Sequence, residues 1–301
     1  KFPGLYEIEI RNEKKECLLK KNVHSFAHGN KYRLTIPWSN PVLWTPDTPD
    51  LLYMTVRAYD KNGRLFDESL PIRFGFREVW LSGREIIFNG NPLRLRPRMS
   101  FAISSPAEPF YINRGFSFLK DMGFNTFMPQ GCSFKGLGSR YASAADEFGM
   151  FTIIHVPTFL AQENRLLTEE IKAHPLDPVL NEYLDSHYIR KYANNPSVII
   201  FSGFCGMFYS QDMIRYSNMA GAWGMFPLKE KENYQKLSAK GLISSEEEKK
   251  QIGTWSFMNG VKTLDPSKLT LTHSGSGQAD CWGTWDYLNW LPLQEWEDYI
   301  Q

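Results

Sequence analysis

Asn194–Met207 reads Asn-Asn-Pro-Ser-Val-Ile-Ile-Phe-Ser-Gly-Phe-Cys-Gly-Met. Its apolar run, Val198–Phe201, is too short for a helix. An amphipathic segment precedes it, and Gly203 and Gly206 punctuate its end. A short apolar run between such signals is the pattern of a strand buried on both faces in a parallel sheet. In a barrel of alternating strands and helices, chemistry sits at the C-terminal ends of the strands. Here that end carries Phe204, Cys205, Gly206 and Met207, and no carboxylate.

Downstream of about Arg96 the spacing of apolar residues is close to four. Ile112, Phe116, Leu119 and Met122 fall on one helical face, with Gly123 placed to end the helix in a left-handed conformation. Phe124–Met128 then reads as a strand, Arg140–Phe148 as a helix closed by Gly149, and Phe151–Val156 as a second apolar strand. Asp177 with Pro178 marks another helix start, carrying Leu180, Leu184 and Tyr188. Residues 228–250 are strongly charged and read as a solvated insertion, and Ser245 with Glu248 forms a capping box before Ile252, Trp255 and Met258. Leu269–His273 and Cys281–Tyr287 are further strands. This alternation predicts a parallel sheet with covered faces.

Upstream the period is two. Leu5–Ile10, Lys31–Ile36 and Leu52–Tyr59 alternate apolar and polar residues. Asn62-Gly63 joins Tyr53–Asp60 to Leu65–Leu70 in a hairpin, and Asn89-Gly90-Asn91 joins Ile86–Phe88 to Leu93–Leu95. Short strands with turns between them point to a sandwich. The expectation is a β domain over residues 1–85 and a strand-helix domain over 86–301.

Composition narrows the function classes. The chain has 301 residues, 42% hydrophobic and 22% charged, with a net charge of +1. That balance gives no electrostatic reason to expect nucleic acid or an anionic membrane as partner. No apolar run approaches the roughly 20 residues of a membrane span. Cys17, Cys132, Cys205 and Cys281 make no zinc or CxxC spacing, so they read as separate thiols and no metal or cofactor is expected. The nine Trp suit sugar faces and core packing alike. Lys1-Phe2-Pro3-Gly4 has no signal-peptide core; the compartment is unfixed, with an extracytoplasmic one the guess.

Trp44-Thr-Pro-Asp-Thr-Pro-Asp-Leu-Leu-Tyr53, Phe74-Gly-Phe-Arg77 and Phe88-Asn-Gly-Asn-Pro-Leu93 resemble segments of glycoside hydrolase family 2. Leu119–Thr126, Ala145–Met150, Asn195–Ile199 and Leu264–Lys268 follow in the family's order. The resemblance implies an immunoglobulin-like sandwich followed by a (β/α) barrel. It also implies cleavage of β-glycosides by two carboxylates roughly 5 Å apart, one acid and one nucleophile. Carried onto this chain, the family's Asn-Glu acid pair falls at Cys205 and Gly206, and Gly206 has no proton to give. The chain is expected to hold about six of the barrel's eight strands, so the nucleophile and a completing segment or partner would lie outside it.

The remaining candidates for contact with a carbohydrate are Gln130 at the end of the second strand, His155 at the end of the third, Cys205, His273, Trp282 and Trp285. For each a packing role is the competing interpretation: a satisfied buried histidine for His155 and His273, core or loop packing for the tryptophans. Asp146 and Glu147 are expected on the solvated face of their helix, and Glu163 on the surface. The sequence thus offers two functions: a family-2-like glycosidase acting on β-linked carbohydrate, or an inactive relative that binds carbohydrate or serves as a scaffold.

Overall fold

The computed structural model describes residues 4–24, 34–99, 109–129, 138–156, 185–203, 239, 260–272 and 280–282. By contacts the chain divides into two units, Lys1–His155 with Asp185–Ile200, and Val156–Leu184 with Phe201–Gln301.

The first unit opens with an antiparallel sheet built from β1 (Leu5–Asn12), β2 (Cys17–His24), β3 (Leu52–Tyr59), β4 (Leu65–Glu68) and β5 (Ile72–Phe74), ordered β2-β1-β3-β4 with β5 also on β3. The two faces differ. Ile8 and Ile10 stand opposite Val56 and Met54 on one, while Glu7 and Glu9 stand opposite Arg57 and Thr55 on the other. The expected Asn62-Gly63 hairpin joins β3 to β4, with Gly63 at φ +76°. Asp60 closes it, its carboxylate accepting from the Asn62 and Arg64 amides at 2.8 and 2.9 Å. Leu34–Ile36, expected as strand, is irregular, and Pro37 beyond it lacks the amide that a ladder needs. The neighbour of β1 is instead β2, whose lysines mask any alternation.

A second, three-stranded sheet comprises β6 (Val79–Ser82), β7 (Glu85–Phe88) and β8 (Asn91–Leu93). Asn89 and Gly90 both take positive φ, 48° and 83°, as a primed two-residue turn demands. Then come β9 (Pro97–Met99), α1 (Pro109–Asp121), β10 (Thr126–Met128), α2 (Gly138–Phe148), β11 (Phe151–Val156) and β12 (Val198–Gly203). A π-helical turn, Asp185–Ile189, runs into Arg190–Tyr192 ahead of β12. β10 pairs in parallel with β9 and with β11. The expected succession, an antiparallel β region followed by parallel strands alternating with helices, is therefore present.

α1 ends as Gly123 predicts. The Gly123 amide donates to Lys120 O at 2.8 Å and the Phe124 amide to Leu119 O at 3.0 Å, the paired bonds of a Schellman cap with Gly123 at φ +84°. Met122, expected on the buried face, is 59% exposed because it falls past the last helical residue, Asp121. Ile112, Phe116, Phe127, Tyr141, Ala144, Ala145 and Met150 make the core between the helices and the strands. In the second unit, residues 260–264 are helical, and β13 (Leu269–Thr272) pairs in parallel with β14 (Cys281–Trp282). Asp280 ties this pair together: its carboxylate accepts from the Thr270 amide at 2.9 Å and the Thr270 hydroxyl at 3.0 Å. The helix predicted from Asp177, the insertion at 228–250 and the capping box at Ser245 lie outside the described residues.

Candidate functional site

Within the first unit, six of the sequence segments that carry the family resemblance meet at one place. Trp44 is fully buried. Its indole N–H donates to Asp146 O at 2.8 Å, and its ring packs edge-on to Phe88 and Phe151. Its carbonyl accepts from the Asn89 side chain at 3.0 Å. Two residues on, the Pro46 carbonyl accepts from Lys120 Nζ, which also donates to Phe148 O at the end of α2. Gly149 follows with φ +66°, and a Cβ there would overlap the Pro46 carbonyl. Only glycine satisfies both demands. Gly75 answers a similar need, since a Cβ would meet Pro196 Cγ at 2.8 Å. Arg77 donates to Val198 O at 3.2 Å.

Asp146 is the centre of this junction, and its position corrects the expectation of a solvated side chain: it is 1% exposed. One carboxylate oxygen accepts from the Ser197 amide at 3.0 Å; the other accepts from Asn195 Nδ2 at 2.6 Å and Arg73 at 3.3 Å. Burial pushes its carboxyl above the ordinary value, against the pull of the Ser197, Asn195 and Arg73 donors. Arg73 also bonds Ser143 O at 2.9 Å and pairs with Glu147, which is exposed as expected. Asp146 therefore fastens β5, α2 and the approach to β12 to one another. Helical periodicity alone put it outside; the missed signal was its place in Ala145–Met150, a segment that carries the family resemblance together with Asn195-Pro196-Ser197.

The candidate ligand site lies at the other end of the strands. Phe151, at the start of β11, turns its ring to Trp44 and Phe88. Phe127, level with Thr152 in the neighbouring strand, turns instead to Phe116 and Tyr141 of the helical core. Alternation then sets Ile153 and His155 on the face of Phe151, opposite the helices. His155 is fully buried at the C-terminal end of β11. Among the other candidates, Trp282 is in β14. Gln130, Cys205, Gly206, His273 and Trp285 lie outside the described residues, as does Glu163. Cys281, next to Trp282, is held protonated: burial pushes its thiol up to about 11. Among the described residues no group of three or more His, Cys, Asp or Glu could hold a metal ion, and no helix is long and apolar enough to cross a membrane.

A family model described as Glycosyl hydrolases family 2 matches residues 5–77. A β-galactosidase of Lactococcus lactis is 22% identical over 174 residues, covering 54% of this chain and 16% of the relative. Among solved structures, the β-glucuronidase of Parabacteroides merdae with glycerol in its active site aligns with a TM-score of 0.65 at 15% identity, over 99% of this chain and 34% of that one. β-Glucuronidase 3 of Bacteroides uniformis aligns with a TM-score of 0.59 at 16% identity, over 99% and 33%. The chain thus spans about a third of the length of these structures and 16% of the galactosidase.

Proposed function

We propose, from the premise that this chain is a divergent relative of glycoside hydrolase family 2, that it recognises β-linked carbohydrate at the C-terminal ends of its parallel strands. Residues 1–85 would form the immunoglobulin-like part and 86–301 the barrel part. His155 and Gln130 are proposed as carbohydrate contacts of the first unit and Cys205, His273, Trp282 and Trp285 as those of the second, with a segment or partner outside the chain completing the enclosure. The observation that supports this most is the placement of His155. It is the penultimate residue of β11, on the face turned away from the helical core, where a barrel's ligand groups belong. The matched family and the β-glycosidase names of the relatives supply the substrate class.

A second interpretation rests on Gly206, which stands where the resemblance puts the general acid: carbohydrate is bound and not cleaved. Two measurements on the 301-residue chain test these together. Titration with a panel of β-linked oligosaccharides should give saturable binding, weakened at least about tenfold by His155→Gln when both proteins are measured well below the variant's own unfolding midpoint. No binding by any member of the panel would sink the carbohydrate proposal. Turnover of activated aryl β-glycosides, whose leaving groups hardly need protonation, decides between hydrolysis and binding alone.

A further inference from the structure

Two hairpin turns share one dipeptide. Asn62-Gly63 turns β3 into β4, and Asn89-Gly90 turns β7 into β8. Asn259 of a third pair, Asn259-Gly260, lies outside the described residues. Asparagine before glycine is a reactive pair as well as a turn signal. The glycine amide nitrogen stands one residue along the chain from the asparagine Cγ, and no side chain shields it. Attack closes a five-membered imide once nitrogen and carbon reach near-attack distance, about 3–3.5 Å. What decides the rate is therefore the freedom of the carboxamide to turn toward that nitrogen.

The fold treats the two pairs differently. Asn62 is exposed, and among the described residues no hydrogen bond holds its carboxamide. The Gly63 amide donates to Asp60 O at 3.1 Å, toward the long end of the range and in a solvated turn. That bond slows attack relative to an unfolded chain, but it leaves the Asn62 side chain free to rotate. Asn89 is half-buried and held at both ends of its carboxamide. Its Oδ1 accepts from the Glu78 amide at 2.9 Å, and its Nδ2 donates to Trp44 O at 3.0 Å. Trp44 is itself fully buried, so that acceptor is anchored. Turning the Asn89 Cγ toward the Gly90 nitrogen breaks both bonds and takes this donor from the Trp44 carbonyl. An acid at 89 would also set a carboxylate oxygen against that carbonyl.

We propose that Asn62 is a site of spontaneous covalent modification in the folded chain, converted to aspartate and isoaspartate, and that Asn89, in the same dipeptide, is protected by its two bonds. The Gly63 nitrogen gives its proton to solvent and bonds to the Asn62 Cγ. The Cγ–Nδ2 bond breaks, and Nδ2 leaves as ammonia with a proton returned by solvent. Water then opens the imide. Cleavage at Cγ gives aspartate; cleavage at the main-chain carbonyl gives isoaspartate, with one extra methylene in the backbone. The balance is one water consumed and one ammonia released. Either product adds a negative charge beside Asp60. Isoaspartate also lengthens the path to the Arg64 amide, which the Asp60 carboxylate binds at 2.9 Å. The proposal is independent of any carbohydrate site.

The test uses the wild-type 301-residue chain, held folded at mildly alkaline pH, digested at intervals and mapped by mass spectrometry. In the folded chain Asn62 should convert at least about tenfold faster than Asn89. In guanidinium chloride the two should convert at similar rates, because the bonds that hold Asn89 are gone. Conversion of Asn89 as fast as that of Asn62 in the folded chain would overturn the proposal. An Asn62 that stays intact while the unfolded chain converts would do the same. So would a preference for Asn62 that persists unchanged in the unfolded chain, since its origin would then be the sequence and not the two bonds.

Discussion

Two groups of carboxylates in the first unit pair with arginine, and their proton affinities shift in opposite directions: the cations outweigh burial at Glu7 and Glu9, and burial outweighs the donors at Asp146. On the sheet face, Glu7 is held below its ordinary value by its bond to Lys20 and then by Arg57. Glu9 is held down by Arg57 and Arg11. Arg57 is raised in turn, first by Glu9, then by Glu68 and Glu7. At the junction, Asp146 also has an arginine and two amide donors, yet burial lifts it. On the sheet the cations themselves cover Glu7 and Glu9, with water beyond. Asp146 is covered by Trp44, α2 and the chain before β12, and the cation paired with it among the described residues, Arg73, is 3.3 Å away. In the sheet ladder Glu7 and Glu9 are buried but each keeps more than one cation, and those cations reach solvent, so each pair is a small term. A single ion inside a protein joint is one large term, because removing it strands every donor aimed at it.

The difference predicts a ranking of substitutions. Asp146→Ala should be the most damaging, by about 3–5 kcal/mol, since it leaves Arg73, Asn195 and the Ser197 amide facing an empty site. Equilibrium unfolding in urea measures it. A loss below about 1 kcal/mol would put the junction in the same class as the surface ladder.

Next is Gly149→Ala. It carries the left-handed penalty of about 1–2 kcal/mol and adds an overlap with the Pro46 backbone, for a loss of about 3 kcal/mol. Gly123→Ala is its internal control. Gly123 has φ +84° with nothing within 4 Å of the added Cβ, so the same substitution should cost only about 1–2 kcal/mol. Equal losses at the two glycines would mean that the Pro46 loop moves aside. Arg57→Met, which dissolves the ladder, should fall below both, at about 1 kcal/mol.

The order of these effects also explains which parts of the fold were legible in the sequence. The hairpins at Asn62-Gly63 and Asn89-Gly90 and the Gly123 helix end were readable because one residue's backbone preference decides each of them. β11 was readable because Phe151–Val156 is apolar between two breakers. β2 was missed because it is an edge strand, exposed along most of its length, where packing imposes no alternation. Asp146 was misplaced for the converse reason. Periodicity assigns a polar residue to water, and what buried this one is a contact with Asn195 and Ser197, about fifty residues away in sequence. The candidate site was legible in outline only. His155 could be named as the end of a strand, but its face follows from Phe151 stacking on Trp44 and Phe88, a contact that no local pattern announces.

The smallest effect tests the comparison most directly, because it concerns sign. Asp146 has a folded value above its ordinary one, so in that window the native state holds more protons than the unfolded chain. Its contribution to stability is therefore complete in acid and falls as pH rises through the folded value. Glu9 is the reverse: its folded value is depressed, so its contribution is complete above the ordinary glutamate range and is lost as pH falls through the folded value. Neutral replacements separate the two without changing size. For Asp146→Asn, the stability gap between wild type and variant should shrink as pH rises from about 4 toward 7. For Glu9→Gln, the gap should be steady above about pH 5 and shrink as pH falls below it. Chemical unfolding of the three proteins at matched pH gives both curves. If the Asp146→Asn gap widened with rising pH, the donors from Arg73, Asn195 and Ser197 would outweigh burial. The junction would then be a stronger version of the sheet ladder, and no longer its opposite.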